Sequence, residues 1–193
     1  MATVALTELY NDTVLELPKC LKPLIWKMIH DVLVEFCTKT QIWSLELDAI
    51  RLRDGEDTYD LDAPACANID TIKGVTNDGS TLYPVTHFTF PSKNEIKLTW
   101  EPSDDTDDDA DGMVVTVVLK PKRTATVIDK DLFESWYDAW AAGVKARLML
   151  QPGKKWSNPE LGLYYDRKIS PGHRRGDHRA EPRRIEYSSR GVG

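Results

Sequence analysis

The sequence predicts an α+β fold: a small helical bundle with an inserted antiparallel β-sheet and an extended C-terminal tail. Three observations carry this. Apolar residues recur at helical spacing in residues 22–39 and again in 131–150. Between them, over residues 42–120, the period changes to two, with a turn signal at Asn77-Asp78-Gly79. Beyond Ser170 apolar side chains nearly vanish, while Pro, Gly and Arg accumulate.

Residues 1–20 read as an arm that ends near Pro18, extended where Leu15 and Leu17 alternate with Glu16. Pro23 sits near the start of the first helix, where a missing N–H costs little. Ile25, Ile29, Val32 and Phe36 share a face, and Leu21 extends the stripe toward the start. Trp43, Leu45 and Leu47 then alternate with polar residues as a half-buried strand. Tyr59 and Leu61 suggest a second. Leu82 to Phe90 reads as a return strand, and Pro84 argues for an edge position. Ile96, Leu98 and Trp100 alternate, and the β-branched run Met113 to Leu119 reads as a central strand.

The next helix spans 131–150. Asp131 and Glu134 suggest a capping box, and Leu132, Trp136, Ala139/Trp140, Gly143 and Leu150 form its apolar stripe. Ala141, Ala142, Gly143 and Ala146 are small, so another backbone can approach. Gln151-Pro152-Gly153 stops the helix. Ser157 and Glu160 suggest a second box, with Pro159 in the first turn of a helix over 158–169. Leu161 and Tyr164/Tyr165 are expected to face inward, with an end before Pro171-Gly172. This pattern fits an intramolecular helical hairpin or packing of subunit on subunit. Trp136, Trp140, Gly143 and Trp156 are the candidates for the second. The organisation expected is an arm (1–20), one domain (21–170) and a basic tail (171–193).

Net charge is −6 over 193 residues, which argues against a general nucleic-acid binder. The charge is uneven. Residues 167–193 hold eight Lys/Arg and three acids, +5, which leaves −11 for residues 1–166. Such a division points to a tail that binds a partner. Six tryptophans favour a packed core or a large interface. Cys20, Cys37 and Cys66 form no metal or disulfide pattern, and a reducing compartment is expected. The N-terminus lacks a basic signal-peptide region, and no apolar run approaches the roughly 20 residues that span a bilayer. No membrane partner is expected.

Chemistry is sparse. Asp107, Asp109, Asp111 and Gly112 match the first half of a calcium loop, but Val118 stands at the closing position, so a solvated acidic hairpin tip is favoured. His30, His87, His173 and His178 are scattered, with no nucleophile and orienting acid identifiable beside them. Cys37 reads as a core thiol, and Gly153-Lys154-Lys155 lacks the pattern of a phosphate loop. No cofactor, no metal and no catalytic residue is expected; a small hydrolase using a carboxylate and calcium is a third reading, resting on the acidic run alone. The tail is the strongest functional feature. Arg167, Arg174, Arg175, Arg179, Arg183, Arg184 and Arg190, with Tyr187, suit carboxylates on a partner or phosphates on DNA.

Two segments carry a resemblance. PGKKWSNPELGLYY (152–165), after a helix rich in Ala and Gly, resembles the C-terminal part of tailed-phage head-tail connector (portal adaptor) proteins. LELPKCLKPLIWKMIHDVLVEFCTKTQIW (15–43), with Pro-x-Cys before a helix that ends in Glu-Phe-Cys-x-x-Thr, matches near the N-terminus. The resemblance implies a structural virion protein, not an enzyme. Its copies form a usually dodecameric ring between the portal vertex and the tail. It implies the portal protein, neighbouring copies and a downstream tail or nozzle protein as partners, with passing contact with the DNA genome. It also implies the virion's head-tail interface as location, with host cytoplasm during assembly, and a C-terminal segment that docks onto the portal. This tail is longer and more basic than the family's usual one. The other reading is a DNA-contacting accessory factor whose tail binds phosphates.

Overall fold

The structure is a computed structural model that describes residues 2–103, 105 and 112–177. It mixes helices with antiparallel sheets, as an α+β fold does. The chain forms two compact units. One holds Met1–Trp43 and the chain from Lys120 through the last helix; the other is Ser44–Leu119, inserted between two helices of the first.

The helical unit begins with β1 (Thr3–Ala5) and α1 (Thr7–Glu16). The expected extended arm is therefore largely a helix. Leu6, Leu9, Thr13 and Leu17 are all buried, and their spacing is helical; the local alternation at Leu15–Leu17 misled. Thr13 returns its hydroxyl to the Leu9 carbonyl at 2.8 Å.

α2 (Lys22–Thr40) buries Ile25, Ile29, Val32, Leu33, Phe36 and Cys37 and ends on Gln41 at φ 50°. Leu21 does not extend that stripe. It caps the helix in extended conformation and is 65% exposed. β9 (Val127–Asp129) pairs antiparallel with β1 and feeds α3 (Lys130–Met149). The N-cap of α3 is Asp129, whose carboxylate accepts from the Leu132 N–H at 2.8 Å. The expected box at Asp131 and Glu134 is displaced by two residues, because β9 runs directly into the helix. Leu150, expected in the apolar stripe, is the C-cap and 37% exposed.

α4 (Pro159–Asp177) has Pro159 as its first residue, and Asn158 caps it by accepting from Leu161 N–H at 3.2 Å. Ser157 hydrogen-bonds back to the Met149 carbonyl instead. The helix does not end before Pro171-Gly172; it continues to Asp177. Proline both forfeits the bond to the carbonyl four residues earlier and crowds that carbonyl, so the helix continues here against the residue's preference. Leu161 and Tyr164 face outward. Gly162, Tyr165 and Ile169 supply the inner side.

The α3–α4 hairpin closes on two glycines. A Cβ on Gly143 would lie 2.5 Å from Ile169 of α4 and 3.0 Å from Val32 of α2. A Cβ on Gly162 would lie 2.9 Å from Leu150. The small-residue run thus serves packing within the chain. Trp140 is fully buried, with its ring edge-on to Phe36 at 6.2 Å and to Phe133 at 6.2 Å.

The β unit holds two sheets in place of the single sheet expected over 42–120. The first has the order β2 (Ser44–Glu46), β8 (Met113–Pro121), β4 (Ala67–Asn77), β5 (Ser80–Leu82). β8 is central, and its valines suit burial on both faces. β4 and β5 join through Asp78 and Gly79 at φ 47° and 69°, the left-handed pair of a type I′ turn. The second sheet has the order β3 (Thr58–Asp60), β7 (Glu95–Leu98), β6 (Phe88–Ser92).

Leu82 to Phe90 is thus not one strand. Pro84 interrupts it, Val85 turns left-handed at φ 67°, and the chain changes sheet. This loop is held by Val85 N–H to Phe88 O at 2.8 Å, His87 N–H to Tyr83 O at 2.9 Å and Tyr83 N–H to His87 Nδ1 at 3.0 Å.

Candidate functional site: the cleft around Lys145

Three helices of the first unit bring charge together. α1 presents Asp12 and Glu16, four residues apart on one face. α3 presents Tyr137 and Lys145, and α4 presents Tyr165. Only 8% of the Lys145 side chain is exposed. Its ammonium donates to Glu16 Oε1 at 2.6 Å and stands 3.6 Å from Asp12 Oδ2. The Tyr165 hydroxyl donates to Glu16 Oε2 at 2.7 Å, and its ring centroid lies 5.6 Å from Lys145 Nζ. Asp12, Tyr137, Lys145 and Tyr165 border an open cleft of about 570 Å³ whose apolar wall includes Trp136 and Ala141.

The electrostatics hold protons in place. A hydrogen bond to Glu16, aided by burial, pushes the Tyr165 hydroxyl up to about 12. Burial and the adjacent Asp12 carboxylate push Tyr137 up to about 12 as well. A neutral phenol donates a hydrogen bond but makes no nucleophile near pH 7. The cluster can therefore tie α1 to α3 and α4 and present a polar rim.

A second charged feature runs along α2. Lys27, Asp31, Glu35 and Lys39 follow one another at intervals of four. Asp31 pairs with Lys27 and Arg123, and Glu35 with Lys39 and Arg147. Hydrogen bonds from Lys39 and Arg147 hold the Glu35 carboxyl below its ordinary range. Burial pushes Asp31 up, but hydrogen bonds from Lys27 and Arg123 outweigh it and leave this carboxyl lowered. Such partly exposed pairs contribute about 1 kcal/mol or less each.

The residues singled out from sequence fall in different places. Arg167 is exposed on α4, and Arg174 and Arg175 lie in its last turns. Arg179, Arg183, Arg184, Tyr187 and Arg190 lie outside the described residues, as do the calcium candidates Asp107, Asp109 and Asp111. Trp140 and Gly143, candidates for packing between copies, are spent inside the fold. A fully buried indole and a glycine already filled by Ile169 and Val32 leave nothing to offer a neighbour. Trp136 is half-buried at 5.3 Å from Phe36, and Trp156 is half-buried.

His30 Nε2 lies 2.9 Å from the Ala125 carbonyl, a structural hydrogen bond. Among the described residues no group of three His, Cys, Asp or Glu could hold a metal ion, and no helix is long and apolar enough to cross a membrane. Sequence reasoning missed the Lys145 cluster because it missed α1. Asp12 and Glu16, spaced four apart behind Leu6, Leu9 and Thr13, carried the signal.

No family model matches the chain, and no curated protein matches it at a significant level.

Proposed function

We propose that this chain is a structural virion protein, a portal adaptor whose copies form a ring that joins the capsid portal vertex to the tail. One observation carries the reading. The two segments that resemble connector proteins, 15–43 and 152–165, lie far apart in sequence yet share the helical unit, where Val32 of α2 and Ile169 of α4 meet at Gly143. Within the intervening chain, Ser44–Leu119 forms a separate unit that a ring can display.

Contact between neighbouring copies falls to exposed apolar residues of α4, Leu163 and Tyr164, each 51% exposed. The basic C-terminal segment docks onto the portal, and a downstream tail or nozzle protein binds the opposite side of the ring. The acidic body gives the channel little attraction for the genome, which touches it only in passing. The protein then resides at the head-tail interface of the virion, and in host cytoplasm during assembly. If acids do not line the channel and Lys/Arg do, that account of genome passage fails.

The test is binding of the full chain and of a version ending at Asp177 to the portal protein of the same genome, and to duplex DNA at two salt concentrations. The adaptor reading expects portal binding that is lost on truncation. A DNA-contacting accessory factor would instead bind duplex without the portal, with an affinity that falls steeply with salt. That result, without portal binding, overturns the proposal.

A further inference from the structure

The turn that carries the chain from one sheet of the β unit to the other closes on a histidine. Tyr83 and His87 exchange two hydrogen bonds. The His87 N–H donates to the Tyr83 carbonyl at 2.9 Å, and the Tyr83 N–H donates to His87 Nδ1 at 3.0 Å. A backbone N–H can only donate, so Nδ1 must accept with its lone pair. The closed turn therefore holds a neutral imidazole with its proton on Nε2. With both nitrogens protonated, the ring would set a second N–H against that of Tyr83, and the bond could not form.

Little else holds the tip of this turn. Tyr83 is 61% and Val85 82% exposed, so packing does not pin it. Pro84 has no N–H to contribute. Val85 is held at φ 67°, where a β-branched residue is strained. Its N–H donates to the Phe88 carbonyl at 2.8 Å, and Thr99 steadies the far end by donating to the Thr86 and His87 carbonyls at 2.8 and 3.0 Å. The surroundings offer a protonated ring no counter-charge. Tyr83 lies against the imidazole with ring centroids 5.9 Å apart, and the uncharged Trp100 stands edge-on at 6.3 Å. On β7, Lys97 turns to Asp57 at 3.0 Å. Among the described residues no ion pair joins His87 to Glu95, Glu101 or any other carboxylate.

We propose that residues 83–88 form a proton-operated latch, closed while His87 Nδ1 is free to accept and released when that nitrogen takes a proton. Histidine is the side chain that ordinarily changes charge between about pH 5 and 8. The closed turn holds the neutral ring alone, whereas the open turn takes either form. The open state therefore binds more protons, and the closed turn loses stability as pH falls through that range. Release frees Val85 from its left-handed backbone and changes the surface that Tyr83 and Val85 present. The inference does not rest on the ring reading.

Magnetic resonance on the full chain tests this, through the imidazole nitrogens and through amide exchange. Exchange is expressed as protection relative to an unstructured peptide at the same pH, which removes the intrinsic effect of acid. At about pH 7.5 the His87 nitrogens should show the proton on Nε2. Between there and about pH 5, protection of the Tyr83 amide should fall about tenfold or more, while the β8 amides keep theirs. His87→Asn offers an amide oxygen that accepts without titrating, and His87→Ala offers no acceptor. Neither variant should retain the pH dependence, and His87→Ala should leave the Tyr83 amide unprotected at both pH values. The proposal is overturned if the natural chain shows no fall or if either variant keeps it. It is also overturned if His87→Ala stays as protected as the natural chain, or if the β8 amides fall in step and report general unfolding.

Discussion

The two units of this molecule are built by opposite means. In the helical unit, residues 1–43 and 120–166 carry 11 acids and 12 Lys/Arg, close to neutral, and its helices lock through Trp140, Gly143 and Gly162. In the β unit, strands of three to five residues predominate and the net charge is −12. The first is close to neutral and locked by close helix contacts, and the second is strongly acidic and built of short strands. Interior contacts of the kind that fill the helical unit are consumed in folding. A surface that meets a partner must keep its groups outward, as the β unit and the outer side of α4 do.

The largest effect expected from breaking this contrast lies at Trp140. Trp140→Ala removes a fully buried indole and should destabilise the chain by about 3–5 kcal/mol in chemical denaturation. Gly143→Leu should be comparably damaging, since even a Cβ meets Ile169 at 2.5 Å. A loss below 1 kcal/mol at either site would mean that the packing of α3 against α2 and α4 is not the structural lock described.

Next comes Lys145. Lys145→Ala leaves Glu16 and Asp12 facing each other beside Tyr165 without their cation, at a cost of about 2–3 kcal/mol. Adding Glu16→Gln to that variant should return part of the loss, and strict additivity in the double-mutant cycle would contradict the coupling.

The same cluster has an alkaline signature. Tyr137 and Tyr165 hold their protons to about 12 when folded, against about 10 in an unfolded chain. Their protonated forms therefore stabilise the fold fully below pH ~10, and that contribution is lost as pH rises toward ~12. Absorbance titration of phenolate should show Tyr137 and Tyr165 among the late-ionising tyrosines, coincident with unfolding. A single transition for all seven would refute this.

The smallest effect belongs to the β unit. Val85 is a β-branched residue held at φ 67°, a conformation that glycine adopts without strain. Val85→Gly should stabilise the chain by about 1 kcal/mol and raise the melting temperature a few degrees.

How much was legible follows from how local each signal is. α2, α3, the central strand β8 and the Asp78-Gly79 hairpin declared themselves through periodicity or turn chemistry within a few residues. α1 was legible in the spacing of Leu6, Leu9 and Thr13 but was masked by the Leu15–Leu17 alternation. The cleft was not legible, because Glu16 and Lys145 stand 129 positions apart and no local rule joins them. Nor was the change of sheet after Leu82, which depends on a left-handed valine. The packing role of Gly143 was half-read. The small-residue run announced a close approach, but the partner proved to be α4 and α2 of the same chain.

The central functional claim is that copies of this chain assemble as a ring on the portal. Native mass spectrometry of the full-length protein mixed with the portal protein of the same genome tests it most directly. The account predicts a complex in which a ring-sized, fixed set of copies adds to the portal, and in which Leu163→Glu on the outer side of α4 reduces that set. A chain that stays apart from the portal and keeps its single-copy mass would contradict it.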